Sequence, residues 1–348
     1  MISYNEIKEV HLEISSRCNA ACPECPRNLR GADIEDLNAY EVRDMTLEQV
    51  QKIFPIDFLQ QLRIININGN FGDFITCRDG LKIVEYFSTA NKDLIIQIST
   101  NASGRPNIWS KLGSIPNVIV IFRIDGLEDT HHLYRRNTDF KSILTNASNF
   151  IAAGGKAKWW MIKFDFNEHQ FNEAKQMSEE LGFIEFQLID HGRNNTPVYS
   201  RDGIYQYSIG EPSPATMDFS TLLEHYKVDK LPNMVNFYKT LDDVPKNINC
   251  IAKIKKEIYV QSNGQVYPCC WIGNYPDTNW NAPGVEQTRL IAKHNNALEI
   301  GIESAINWFK ELEKTWILGK VSNGQHFSCN KFCGKKRFLD TDPHHLKI

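Results

Sequence analysis

VHLEISSRCNAACPECPR, residues 10–27, runs an alternating segment straight into three closely spaced cysteines. Val10, Leu12 and Ile14 are separated by polar residues, the period-2 pattern of a half-buried strand. Cys18, Cys22 and Cys25 follow at once, in the spacing C-x-x-x-C-x-x-C. A strand that opens into a ligand-rich loop is the first half of a βα unit. The chain beyond it repeats that unit.

RIININ (63–68), LIIQIS (94–99), VIVIFRI (118–124), AKWWMIKF (157–164) and FIEFQLI (183–189) all read as strands. Helix-period stretches separate them. Thr46 with Gln49 forms a capping box ahead of Leu47, Val50, Ile53 and Phe54. Leu81 to Phe87 is a second helix, and Ile143, Leu144, Ala147, Phe150 and Ile151 mark a third. Phe171, Ala174, Met177 and Leu181 mark a fourth. Six strands with helical crossovers predict an α/β fold with a parallel sheet and helices outside. Six units fall short of a closed eight-fold barrel. The expected architecture is a partial (β/α)6 TIM-like barrel over residues 1–190, with an open doubly wound sheet as the competing form. Either one places functional groups at the C-terminal ends of the strands.

Residues 191–249 lose the pattern. Pro197, Pro212 and Pro214 suggest an irregular connection that could contribute to a substrate pocket, with one short helix at 221–227. Residues 250–348 read as a small C-terminal domain. IYVQSNGQVYPCC (258–270) is a hairpin turning at Asn263-Gly264. Ile302, Ala305, Ile306, Phe309, Leu312 and Trp316 then follow with the spacing of one helix over 301–317.

Composition narrows the function. The 348 residues carry a net charge of −3, with no electrostatic footprint for nucleic acid. The basic runs, Lys253, Lys255, Lys256 and Lys335, Lys336, Arg337, are short and suit solvated surface. No apolar run reaches the roughly 18 residues of a membrane span. MISYNEIKEV lacks a secretory signal, so the expected location is cytoplasmic. Nine cysteines in a reducing compartment indicate metal or redox chemistry. Cys77, alone in the chain, reads as a packed thiol.

A four-iron cluster is held by cysteine thiolates and takes four ligands. A structural zinc also takes four, usually as two close pairs. Three cysteines on one loop complete neither and leave one iron open. A zinc loop completed by His11 or a distant cysteine is the alternative. The motif, placed directly after a first strand, resembles the signature of the radical S-adenosylmethionine superfamily. The resemblance implies a [4Fe–4S] cluster on Cys18, Cys22 and Cys25, with S-adenosylmethionine chelating the open iron. It also implies reductive cleavage to a 5′-deoxyadenosyl radical, fed by a flavodoxin- or ferredoxin-type electron donor. The residue before the third cysteine is often aromatic in that family; here it is Glu24.

Further segments resemble the family's cofactor pocket. GNFGD (69–73) offers Gly69, Asn70, Gly72 and Asp73, with Asp73 suited to an ammonium. STNAS (99–103) offers Ser99, Thr100 and Asn101 as hydrogen-bonding groups. RIDG (123–126) contributes Asp125. Arg135, or equally Arg136, is suited to the S-adenosylmethionine carboxylate, while His131 and His132 read as surface or capping residues. Near the C-terminus Cys250, Cys269, Cys329 and Cys333 resemble the family's twitch extension, a shortened SPASM domain holding an auxiliary [4Fe–4S] cluster. Cys270 is spare or exchanges roles with Cys269, and a Cys₄ zinc site has the same ligand chemistry.

The implied activity is oxidation of a polar small molecule, such as a sugar- or cyclitol-like alcohol, with the auxiliary cluster accepting an electron. A barrel beginning near residue 8 favours that over a peptide-modifying maturase that forms a cross-link or dehydro bond. A non-catalytic zinc or iron–sulfur protein is the alternative of another class. No catalytic residue is assigned. Lys163, Asp165, Asp190, His191 and Arg193 follow late strands and are candidate bases. Trp159 and Trp160 should face opposite sides of their strand, and the aromatics of 204–207 could line a pocket.

Overall fold

A computed structural model describes residues 2–32, 42–190, 196–210, 247–273 and 284–334. The expected helix at 221–227, the basic run 335–337, His191 and Arg193 lie outside the described residues.

The six strands form where the periodicity places them. They are β1 (Glu9–Leu12), β2 (Ile64–Ile67), β3 (Ile95–Thr100), β4 (Val118–Arg123), β5 (Lys156–Ile162) and β6 (Glu185–Ile189). Each pairs parallel with the next, Glu9 opposite Ile64 and Ile64 opposite Ile95. Helices pack on the outside: α1 (Leu47–Ile53), α2 (Gly80–Ala90), α3 (Phe140–Ala152) and α4 (Phe171–Glu180). The Thr46–Gln49 capping box forms in full, with Gln49 N–H donating to Thr46 Oγ1 at 3.2 Å.

Alternation divides the apolar side chains between two clusters. The larger lies between sheet and helices and includes Trp159, whose indole N–H donates to the Ile124 carbonyl at 2.9 Å. The smaller lies inside the barrel, where Trp160, Ile121, Ile162 and Tyr134 pack around Ala20 and Cys22. A hairpin of β7 (Thr196–Tyr199) and β8 (Tyr205–Ile209) adds Val198 and Ile209 to the inner cluster, with Tyr207 packed against it.

The sheet does not stop at six strands. β9 (Glu257–Val260) pairs parallel with β1, Glu9 opposite Glu257, and β10 (Val266–Tyr267) returns antiparallel to β9. The order is β10-β9-β1-β2-β3-β4-β5-β6, an open eight-stranded sheet of partial-barrel form. β9 covers the β1 edge, which would otherwise present unpaired backbone groups.

The helical run at 301–317 is not continuous. It breaks into Ile302–Ala305 and Phe309–Trp316. Trp308 sits in the break, and its indole N–H donates to the Val266 carbonyl at 3.1 Å, docking it on β10. Among the described residues no helix is long and apolar enough to cross a membrane.

Candidate cofactor site

The three N-terminal cysteines line one cavity of about 340 Å³ at the C-terminal end of the parallel strands. Backbone bonds shape their loop. Cys25 N–H donates to the Cys22 carbonyl at 3.0 Å, and the Arg27 guanidinium donates to the Cys18 carbonyl at 3.0 Å. N–H donors also point at sulfur: Ala20 N and Asn101 Nδ2 reach Cys18 Sγ at 3.4 and 3.6 Å. Arg135 Nη1 reaches Cys22 Sγ at 3.8 Å. Burial, then Asp73, Cys22 and Cys25, pushes the Cys18 thiol up. Three crowded thiols in a donor-lined pocket are poised to gain from a bound cation, which is the fit expected of cluster ligands.

Gly69, Asn70, Gly72 and Asp73 line the same cavity. The glycines are required by close approach: a Cβ on Gly72 would lie 1.7 Å from the Ser15 carbonyl oxygen. Asp73 is buried, and its oxygens already accept from Thr100 Oγ1 at 2.5 Å, Asn101 N at 2.8 Å and Ile75 N at 3.1 Å. Its carboxylate therefore ties the glycine turn to the end of β3. Ser99, Thr100 and Asn101 all reach the cavity wall, with Ser99 Oγ accepting from Arg123 Nε at 2.8 Å.

Asp125 does not line the cavity. It is fully buried, accepts Ile162 N–H at 2.6 Å and pairs with Arg135 Nε at 2.5 Å. Arg135 faces the cavity, whereas Arg136 donates to the Tyr199 carbonyl at 2.6 Å. Burial acts against the Arg135 charge, and Asp125 outweighs it, holding the pKa above the usual range. His131 is buried, not a surface residue. Its Nδ1 accepts the Asp125 N–H at 3.3 Å, and burial pushes its pKa down to about 4.

The C-terminal cysteines gather apart from this cavity. Cys250 precedes the short helix Ile251–Lys255, and Cys329 and Cys333 share one face of the helix Phe327–Cys333. A hydrogen bond with Cys333, then burial and Cys269, pushes the Cys250 thiol up. Burial, then Cys269 and Cys333, does the same to Cys329. Cys269 and Cys333 thus act on both Cys250 and Cys329, and Cys269 also feels the adjacent Cys270. Among the described residues no three Cys, His, Asp or Glu side chains converge on a single metal ion. Cys270 instead lines the barrel cavity, and its carbonyl accepts Asn70 Nδ2 at 3.1 Å. Cys77 is fully buried, and burial pushes its pKa to about 12.

The sequence reading missed Asn66, Gln97 and Glu257 and named His11 only as a possible zinc ligand and Arg123 only within RIDG; all five line a cleft sharing His11, Ser99 and Arg123 with the main cavity. Period 2 could have found them, because each occupies the strand face opposite the outer core. Of the described candidate bases, Lys163 pairs with the exposed Asp190 at 2.6 Å and Asp165 lies in the turn Asp165–Gln170, and these three do not line either space.

No family model matches the sequence, and no curated protein matches it significantly. Solved structures do match. SuiB of Streptococcus suis bound to S-adenosylmethionine superposes with a TM-score of 0.52 at 13% identity, covering 76% of this chain and 61% of that one. The chain has the radical S-adenosylmethionine fold. SuiB bound to its precursor peptide SuiA gives the same score over 77% of this chain and 60% of that one. BtrN in complex with AdoMet and 2-DOIA spans 97% of this chain and 96% of that one, with a TM-score of 0.43 and 13% identity. This radical S-adenosylmethionine fold thus spans about three fifths of the SuiB chain.

Proposed function

We propose that the protein is a radical S-adenosylmethionine enzyme acting on a polar small molecule. One observation carries this reading: Cys18, Cys22 and Cys25 open onto the same cavity as the glycine turn, Thr100, Asn101 and Arg135. A [4Fe–4S] cluster with S-adenosylmethionine, given an electron by a flavodoxin- or ferredoxin-type donor, supplies a 5′-deoxyadenosyl radical for hydrogen abstraction. The chain's own groups do the holding. The turn 69–73 and Asn101 take the methionyl amine side, and Arg135, held by Asp125, takes the carboxylate. Cys250, Cys269, Cys329 and Cys333 hold a second, fully ligated cluster suited to accepting an electron.

The cleft beneath has room for about one water, some 20 Å³, but the polar wall it shares with the main cavity favours a polar substrate there. Its walls carry an imidazole, three amides, a guanidinium and a carboxylate, where barrel interiors are normally filled by branched apolar residues. Arg123 is fixed by Ser99 and by the Trp160 ring, 4.7 Å from its guanidinium carbon. Buried polar groups of this kind discriminate for hydroxyls and against apolar partners. The fold shared with the peptide-bound SuiB structure favours a second reading, a peptide substrate presented from outside.

Anaerobic reconstitution tests the enzyme. About eight irons per chain are expected, with about four left after C18S/C22S/C25S, and 5′-deoxyadenosine on reduction only in wild type. Zinc at stoichiometry without S-adenosylmethionine cleavage overturns the proposal. Deuterated sugars, cyclitols and peptides then separate the two substrates by which of them passes label into 5′-deoxyadenosine.

A further inference from the structure

Glu13 lies just past β1, ahead of the cysteine loop, and is only 1% exposed. A carboxylate removed from water to that degree must be met by donors. Its Oε1 accepts two successive backbone amides, Phe71 N–H at 2.7 Å and Gly72 N–H at 3.0 Å. Its Oε2 accepts the Tyr259 hydroxyl at 3.1 Å. Tyr259 is a β9 residue, fully buried, with its ring edge-on to His11 at 4.9 Å. One carboxylate therefore binds together the end of β1, the glycine turn and the C-terminal hairpin.

We propose that Glu13, steadied by Tyr259, is the positioning residue that sets the glycine turn for S-adenosylmethionine. A trans peptide unit is planar, with its N–H and C=O on opposite sides. Drawing the Phe71 and Gly72 N–H groups onto Glu13 sends the Asn70 and Phe71 carbonyls the other way, as acceptors for an ammonium. Asn70, Phe71 and Gly72 all line the cavity. The turn in this arrangement admits only glycine at 69 and 72, because Cβ atoms there would strike the Gly72 and Ser15 carbonyls at 2.4 and 1.7 Å. Asp73, at the end of the turn, already accepts from Thr100 and Asn101, so within the turn it is the backbone that meets the amine, beside Asn101. Tyr259 makes the pocket depend on the hairpin whose far end carries Cys269. Docking of the C-terminal unit and readiness of the cofactor pocket are thus one event.

The inference rests on the proposed S-adenosylmethionine site, and two readouts keep them apart. The first is amide hydrogen exchange over 69–73 in the reconstituted protein without S-adenosylmethionine. The second is S-adenosylmethionine affinity by equilibrium dialysis. Glu13→Leu is expected to open the Phe71 and Gly72 amides to exchange and to weaken binding about ten-fold. Glu13→Gln, which keeps one acceptor oxygen, should restore both. Tyr259→Phe should weaken binding about three-fold with iron content unchanged. Wild-type affinity in E13L or Y259F overturns the positioning role. If E13L does not fold, Y259F decides: unchanged exchange and affinity overturn it. Wild-type protein that binds no S-adenosylmethionine overturns the proposed function, while protected amides that E13L exposes still support Glu13 as the organiser of the turn.

Discussion

Glu24 stands where related motifs carry an aromatic ring, and its surroundings supply the reason. Its carboxylate accepts from the Arg30 guanidinium and from the Thr196 hydroxyl. Thr196 begins β7, and Tyr199 N–H in that strand donates to the Arg30 carbonyl at 3.0 Å. Glu24 thus fastens the cysteine loop to a hairpin that closes the inner cluster. An aromatic ring could pack there but could not answer two donors. Charge-assisted bonds at half-buried sites are worth about 1–3 kcal/mol. Glu24→Ala is therefore expected to lower stability by about 1–2 kcal/mol and to raise amide exchange over 196–199. Urea unfolding and exchange mass spectrometry measure this; a variant indistinguishable from wild type in both would refute it.

At the scale of elements, the adjacent cysteines after β10 separate by direction. Cys269 acts on Cys250 and Cys329 and feels both Cys333 and its neighbour Cys270, whereas Cys270 lines the barrel cavity, so Cys269 is the ligand of the proposed second cluster. Cys269→Ser should cost about four of about eight irons, and Cys270→Ser should keep them all. Equal iron loss in both variants would show that the two share one role. Other elements show what the sequence could convey. The six βα units were legible because period 2 and period 3.6 are local signals, readable within ten residues. The β9 hairpin was legible too, from Asn263-Gly264, but its parallel pairing with β1 was not. That pairing joins residues some 250 positions apart, and no local pattern encodes it. The break at Trp308 was hidden for a similar reason, because the Val266 carbonyl that draws the indole in lies on another element. Asp125 read as a cofactor-binding residue, yet its place is behind Arg135 and not among the residues lining the cavity. Residue type and spacing cannot distinguish a ligand from the group that holds one.

The whole molecule balances buried ionisable groups of opposite sign, and pH exposes the balance. Burial raises the Glu13 pKa from 4.5 to about 7, against the pull of the Phe71 and Gly72 amides. Between those values the folded protein holds a proton that the unfolded chain has released, so stability falls as pH rises from 4.5 to 7. Burial lowers the His326 pKa from 6.5 to about 4, and His131 behaves alike. There the unfolded chain takes up the proton first, so stability is lost as pH falls from 6.5 towards 4. Two histidines oppose Glu13 and Asp73, whose pKa burial also raises, so the wild-type profile alone conceals each. Difference profiles separate them. Glu13→Gln cannot ionise, so its stability relative to wild type should improve as pH rises from 4.5 to 7, by about 3 kcal/mol at most. His326→Gln should show the reverse, gaining on wild type as pH falls from 6.5 to 4. Urea unfolding of the metal-free protein at several pH values measures both. Parallel profiles for wild type and E13Q would mean that Glu13 keeps its ordinary pKa, and the turn it holds would then rest on a permanently charged anchor.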